Sequence, residues 1–506
     1  MQFNSYIFIL CFLPLSLIGY FSFRHFAKEK LALGYLLLMS LWFYGYFNPS
    51  YLLVICSSIL VNFTLSKCML SIEKAHGDNR KRKALLVLGL LFDVGLIFYF
   101  KYYDFFIENI NSLFKSDFNL RHVVLPLGIS FFTFQQISFI VDAYKGKTKD
   151  YSFLEYALFV AYFPQLVAGP IVLHSELIPQ FRDEKKHRLN YENLSKGIII
   201  FTRGLAKKML IADMFGGAVD YGFTVAGTIA VGEGALTIPE ILIVMLSYTF
   251  QIYFDFSGYS DMAIGLGKMF NFEITRNFNS PYKAVSVADF WKRWHMTLTR
   301  FLTTYVYIPL GGNRKGKVRT YINTMIVFLI SGIWHGANWT FILWGILHGL
   351  GQCFNKLFHG AYEKACGALG KAGSGVIRVF SWIVTFIFLN FTWLLFRAES
   401  VTQWTQIIKR LGVLNLDVRN DLISSFRIPK LSFVYGVLGL PNSDAYVLGT
   451  GCIFAMIFAI ILCLCVKNNT EREIKLNRVS LVTTWVLLII CIVSMSSIST
   501  FLYFNF

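Results

Sequence analysis

Apolar runs, each about long enough to cross a bilayer, recur from one end of this 506-residue chain to the other. They fall near 5–23, 31–47, 51–66, 84–101 and 123–143, and again near 197–215, 238–254, 320–336, 338–354, 376–396, 446–466 and 479–503. Hydrophobic residues make up 55% of the chain and charged residues only 15%, where a soluble domain carries about 25% charged. A soluble enzyme, a secreted disulfide scaffold and a disordered chain are thereby excluded. The pattern predicts an all-α, polytopic integral membrane protein of about 10–13 transmembrane helices in a lipid bilayer.

The charge balance, 47 basic against 29 acidic residues, gives a net +18. The cations sit mainly in short segments between apolar runs, which is the positive-inside pattern rather than a nucleic-acid surface. Arg24/Lys28/Lys30, the stretch Lys67 to Lys83 and Lys145/Lys147/Lys149 alternate with poorer loops and are read as cytoplasmic. Arg24, the first basic residue, follows the first apolar run, so that run reads as a retained span with its N-terminal end outside. The run 153–181 contains Pro164, Gly169, Pro170 and Pro179 and leads to Arg182/Lys185/Lys186/Arg188. A re-entrant or broken segment there returns these cations to the cytoplasm. The basic loop Lys467 to Arg478 sends the last helix outward. Of nine cysteines, Cys11, Cys56, Cys452, Cys463, Cys465 and Cys491 lie inside apolar runs and read as small buried hydrophobes.

Ionisable residues in apolar surroundings mark where chemistry is expected, and 247–350 concentrates them. His335 ends an apolar run, Met325–Trp334. It reads either as a general base held neutral by burial or as a hydrogen-bonded link between helices. His295 follows Trp291, Lys292, Arg293 and Trp294, a run typical of a membrane-interface helix. His348 is a weaker candidate, and His25, His76, His122, His174 and His187 lie near loops and read as solvated. Asp255 and Asp261, with Arg276, Lys292 or Arg293 as partners, read as a structural polar network or a proton relay. The loop Gly311 to Lys317, with Arg314, Lys315 and Lys317, suits phosphates or is simply a cytoplasmic basic loop. Neither H-E-x-x-H nor an H-x-x-x-H pair occurs, so zinc has little support and no metal is expected; no bound cofactor is expected either.

Several motifs together resemble the membrane-bound O-acyltransferase superfamily. These are D-F-W-K-R-W-H (289–295) and S-G-I-W-H-G (331–336). Q-I-Y-F-D-F-S-G-Y-S-D-M-A-I-G (251–265), N-F-N-S-P-Y (277–282), Y-I-P-L-G-G-N (307–313), L-V-A-G-P-I (166–171) and F-L-N-F-T-W-L-L-F-R-A (388–398) are similar to its bacterial alginate O-acetylation branch. The resemblance implies N-terminal transmembrane helices over 1–120 and a catalytic core over 121–400 around a central tunnel. An extramembrane segment, C-terminal helices and an F-x-Y-F-x-F tail then occupy 401–506. It also implies a bacterial cytoplasmic-membrane enzyme that moves an acyl group, usually acetyl, from a cytosolic thioester such as acetyl-CoA toward an envelope polysaccharide. In that reading His335 is the base, His295 orients donor or acceptor, and Arg314, Lys315 and Lys317 hold the donor's phosphates. Tyr503 in the tail is an acyl relay to an extracytoplasmic acyltransferase partner, or else an aromatic interface anchor. Teichoic-acid D-alanylation and protein or lipid acylation remain open within the superfamily. A polysaccharide transporter is the rival of another class, and it calls for inverted repeats that the sequence does not display.

Overall fold

Backbone amides inside a bilayer find no water, so they are satisfied within helices. Among the described residues every regular element is helical. The structure, a computed structural model, describes residues 1–26, 28–228, 235–426, 439, 445–495 and 501–502. Its first helices are α1 (Phe8–His25), α2 (Glu29–Gly45), α3 (Ser50–Lys74) and α4 (Asn79–Phe114). Then come α5 (Ile129–Tyr144), α6 (Phe153–Ala161), α7 (His174–Phe181), α8 (Tyr191–Ala206), α9 (Asp213–Thr228) and α10 (Ile238–Met269). After the short α11 (Met296–Leu302) follow α12 (Lys317–His335), α13 (Trp339–Ala368), α14 (Gly370–Arg397), α15 (Val401–Arg410), α16 (Ala445–Leu464) and α17 (Arg478–Ser494).

Among the described residues, five helices are long and apolar enough to cross a membrane alone: α1, α3, α4, α10 and most of α14. Other expected spans are helical but shorter, as α16 and α17 are, or more polar, as α5 is where it faces protein. Helix α5 buries Ser130, Thr133, Gln135, Gln136 and Ser138. Helix α4 outruns its apolar stretch and continues to Phe114, its last turns carrying Asp104, Glu108 and Asn109. Cysteines divide in the same way. Cys452, Cys463 and Cys491 are buried as expected, whereas Cys11, Cys56 and Cys465 lie on exposed faces.

Helix α10 is the axis of the fold, with 78% of its most apolar stretch buried. Its closest neighbour is α8, and glycines allow the approach: a Cβ on Gly204 would lie 2.6 Å from the Gly258 carbonyl oxygen, and one on Gly265 2.7 Å from that of Gly197. Small residues at matched seven-residue spacing let two backbones touch in this way. The segment 153–181 is broken inside the protein. Helix α6 stops at Ala161, a single turn runs Phe163–Leu166, and α7 begins at His174, with Tyr156 through Phe163 almost wholly buried.

Among the described residues four turns are wider than an α-turn: Phe8–Phe12, Phe98–Tyr102, Lys207–Ala212 and Thr303–Tyr307. Such turns often occur at functional sites, and two of these carry lysines aimed into the core.

The glycine contact yields a prediction. Gly204→Val or Gly258→Val should destabilise the protein by about 1–3 kcal/mol through overpacking, read as a lower melting temperature in detergent. Gly34→Ala, where an added Cβ meets nothing within 4 Å, should not lower it.

Candidate active site

His335 is the last residue of α12 and is 4% exposed. The final carbonyls of a helix have no partner within it, and here α4 supplies partners. Lys101 Nζ donates to the carbonyl oxygens of Trp334 (2.8 Å) and His335 (2.9 Å), and the Tyr102 hydroxyl donates to that of Ile333 (2.6 Å). A cation at a helix C-terminus also complements its dipole. The imidazole packs edge-on against Trp344 and Phe396, each 5.1 Å between centroids, and against Trp334 at 4.9 Å. Lys101, Gly128, Ser130, Val167, Trp334 and His335 line a small cleft, partly open to the exterior. Lys101 and Tyr102 carry no motif, and nothing in the sequence joins them to a helix more than two hundred residues away.

His295 is not on an interface helix; it is fully buried. Its backbone is left-handed, φ 44° and ψ 51°, at the N-terminal end of α11. Asn277 holds this turn. Its Oδ1 lies 3.2 Å from His295 Nδ1 and accepts from the Thr297 amide (3.2 Å) and hydroxyl (2.9 Å). Three donors converging on one atom identify it as the amide oxygen, so His295 is protonated at Nδ1 and carries its lone pair on Nε2. The ring meets Phe256 at 4.8 Å and Trp334 at 5.9 Å. Trp334 thus contacts both His295 and His335. The 166–171 motif joins the same assembly, since the Ile171 amide donates to Thr297 Oγ1 (3.0 Å).

His348 is committed at both nitrogens. The Trp291 indole N–H donates to its Nδ1 (3.1 Å), so Nε2 carries the proton and donates to Thr392 Oγ1 (3.1 Å), which in turn donates to the Leu389 carbonyl (3.0 Å). It is a structural histidine, and its partner Thr392 comes from the 388–398 motif. His174, expected to be solvated, is 1% exposed. It lies 3.2 Å from both Tyr151 Oη and Asp142 Oδ2, because the broken segment folds it back under α5.

The aspartates find partners other than those expected. Asp255 pairs with Lys208 (2.8 Å) and Asp261 with Lys207 (2.7 Å), neighbouring lysines on the wide turn after α8. Arg276 and Lys292 form no ion pair with either of them. Arg293 belongs to a separate pair one helical turn back, with Asp289 (2.8 Å). Asp261 also accepts from Asn469 Nδ2 (3.3 Å), tying down the loop between α16 and α17. Arg314, Lys315 and Lys317 are exposed around the N-terminus of α12. At about 1.5 Å per residue they lie roughly 27 Å along the helix from His335. Asn323 fixes their loop by donating to the Gly312 carbonyl (3.0 Å). Tyr503 lies outside the described residues.

The two buried histidines sharing one indole, each braced by a motif, agree with what comparison with known proteins finds. Residues 9–397 match MBOAT, the membrane-bound O-acyltransferase family. The chain belongs to that family. Across all of its length, and 97% of the relative's, it is 40% identical to a peptidoglycan O-acetyltransferase of Helicobacter pylori. It is 36% identical to a "probable alginate O-acetylase AlgI" of Pseudomonas aeruginosa, over 79% of this chain and 73% of that one. A teichoic acid D-alanyltransferase of Streptococcus thermophilus is 27% identical over 45% of this chain and 56% of its own length. This member of the membrane-bound O-acyltransferase family is therefore a multi-pass membrane enzyme, an O-acyltransferase.

Lys101 is expected to act as a positioning residue. Lys101→Met should lower turnover about tenfold or more, since charge-assisted hydrogen bonds contribute about 1.5–3 kcal/mol. Its KM for the acyl donor should hardly change, and Lys101→Arg should recover part of the loss; steady-state kinetics in lipid read both.

Proposed function

We propose that this enzyme takes acetyl from a cytosolic thioester, acetyl-CoA, and passes it across the bacterial cytoplasmic membrane for O-acetylation of peptidoglycan. The observation that carries this reading is the placement of His335. It sits on one end of a membrane-length helix, held there by Lys101 and facing a cleft, while the other end of the helix carries the exposed basic loop. Full-length similarity to the Helicobacter pylori enzyme favours peptidoglycan over alginate as acceptor. The D-alanyltransferase match covers less than half of the chain and gives teichoic-acid D-alanylation less support.

In this reading Arg314, Lys315 and Lys317 draw the donor's phosphates to the cytosolic end. His335, neutral in its apolar setting, takes the phenolic proton of Tyr503. The phenolic oxygen attacks the thioester carbonyl, forming a C–O bond as the C–S bond breaks. The departing thiolate receives the proton from His335, which returns to its neutral form. His295, with its lone pair on Nε2, orients the donor or the attacking hydroxyl. The acetyl ester of Tyr503 is then handed to a sugar hydroxyl by an extracytoplasmic acyltransferase partner, which frees the phenol for the next cycle.

Turnover of labelled acetyl-CoA by the protein in lipid tests the scheme. His335→Gln is expected to lose at least about a hundredfold in turnover, the scale of a general base. Label should appear on the C-terminal peptide of the wild type and be absent from Tyr503→Phe. Thioester cleavage that survives His335→Gln in a folded protein would overturn the assignment of the base. Reversing the charge of Arg314, Lys315 and Lys317 together should raise the donor KM with turnover retained.

A further inference from the structure

Asp255 is 2% exposed and sits in the middle of α10. Its Oδ1 is paired with Lys208, which is also paired with Asp213 at 2.8 Å. Its Oδ2 accepts a bond from a distant backbone: the amide of Leu502, at 3.1 Å. A carboxylate taken this deep into a membrane protein costs free energy unless every oxygen is answered. Here one oxygen is answered by a buried cation and the other by the chain's own C-terminal segment.

The neighbouring residue repeats the pattern. Phe501 is 1% exposed. Its ring meets Tyr259 edge-on at 4.9 Å, one turn along α10 from Asp255, and the Lys208 ammonium lies 4.9 Å from the ring centroid. Cation–π contacts of this kind are strongest where water is excluded. Phe3 stacks on the same Tyr259 ring at 4.9 Å, and the Tyr6 hydroxyl donates to the Ile492 carbonyl of α17 (2.9 Å). The N-terminal segment and residues 501–502 therefore meet on one face of α10, and Tyr6 ties the last helix to that segment.

We propose that Asp255, fixed by Lys208, is a docking site for the chain's own C-terminal tail, gripping the Leu502 amide and the Phe501 ring. Phe256, next to the docking carboxylate, packs on His295. The anchor thus ties the tail to the helix that forms one wall around His295. As a means of presenting Tyr503 it rests on the proposed acyl relay; as a docking contact it is read from Asp255, Lys208, Tyr259, Phe501 and Leu502 alone. Asp255 is on this account a positioning residue, not a proton carrier.

Amide hydrogen exchange on the full chain in lipid nanodiscs tests the docking. In the wild type, and equally in Tyr503→Phe, the C-terminal peptide should retain a slowly exchanging amide. In Asp255→Asn and in Phe501→Ala that amide should exchange about tenfold faster or more, as a charge-assisted hydrogen bond implies. Phe501→Ala leaves the Lys208–Asp255 pair intact, so the test stands even if Asp255→Asn folds poorly. A wild-type tail exchanging as fast as the Phe501→Ala tail would overturn the docking. Labelling with acetyl-CoA in the same samples separates the two ideas: Asp255-dependent protection without acetate on the tail keeps the docking and removes the relay.

Discussion

The end of a helix buried within a membrane protein is a place of unmet need, because its last carbonyls have neither a helical partner nor water. At the end of α12 that need is met by Lys101 and Tyr102, reaching across from a wide turn in α4. Three successive carbonyls are thereby held, and the side chain of the last residue, His335, is held with them. Trp334, whose carbonyl is held by the same bonds, touches the ring of His295, so the cap of α12 borders both histidines. The same solution recurs after α8, where another wide turn sends Lys207 and Lys208 to the two aspartates of α10. In both places a lysine is delivered to a buried oxygen by a turn that departs from the α ladder.

Much of this was legible in the sequence, and the rest was illegible for a physical reason. The apolar runs announced an all-helical membrane protein, and the prolines and glycines of 153–181 announced the interruption there. The motifs around His295 and His335 pointed to the two histidines that the structure brings to one indole. Motifs without an obvious role proved to be bracing: Asn277 of N-F-N-S-P-Y holds the His295 turn, and Thr392 of the 388–398 stretch occupies His348. What the sequence hid were pairings across long separations. Local reasoning gave Asp255 and Asp261 arginines and lysines within forty residues, whereas their partners lie about fifty residues upstream on another helix. His174 looked solvated beside prolines and charges, but a broken segment folds inward and takes the residue with it.

The family relationship and the internal geometry bear on different questions. Similarity over the full chain assigns the class of chemistry. The packing says how a few residues are held in place for such chemistry. Three lysines, one buried and two half-buried, divide the work of holding them. Lys101 answers carbonyls, Lys207 secures a loop, and Lys208 holds a carboxylate that meets the end of the chain.

The left-handed backbone of His295 carries a further consequence. An L-residue in that region is strained, by about 1 kcal/mol or somewhat more, and glycine is not. Exchanging this histidine for glycine would relieve the backbone while removing the ring. The lost ring, with its hydrogen bond to Asn277 and its contacts with Phe256 and Trp334, outweighs that relief, so packing alone is enough to keep a strained histidine in place here.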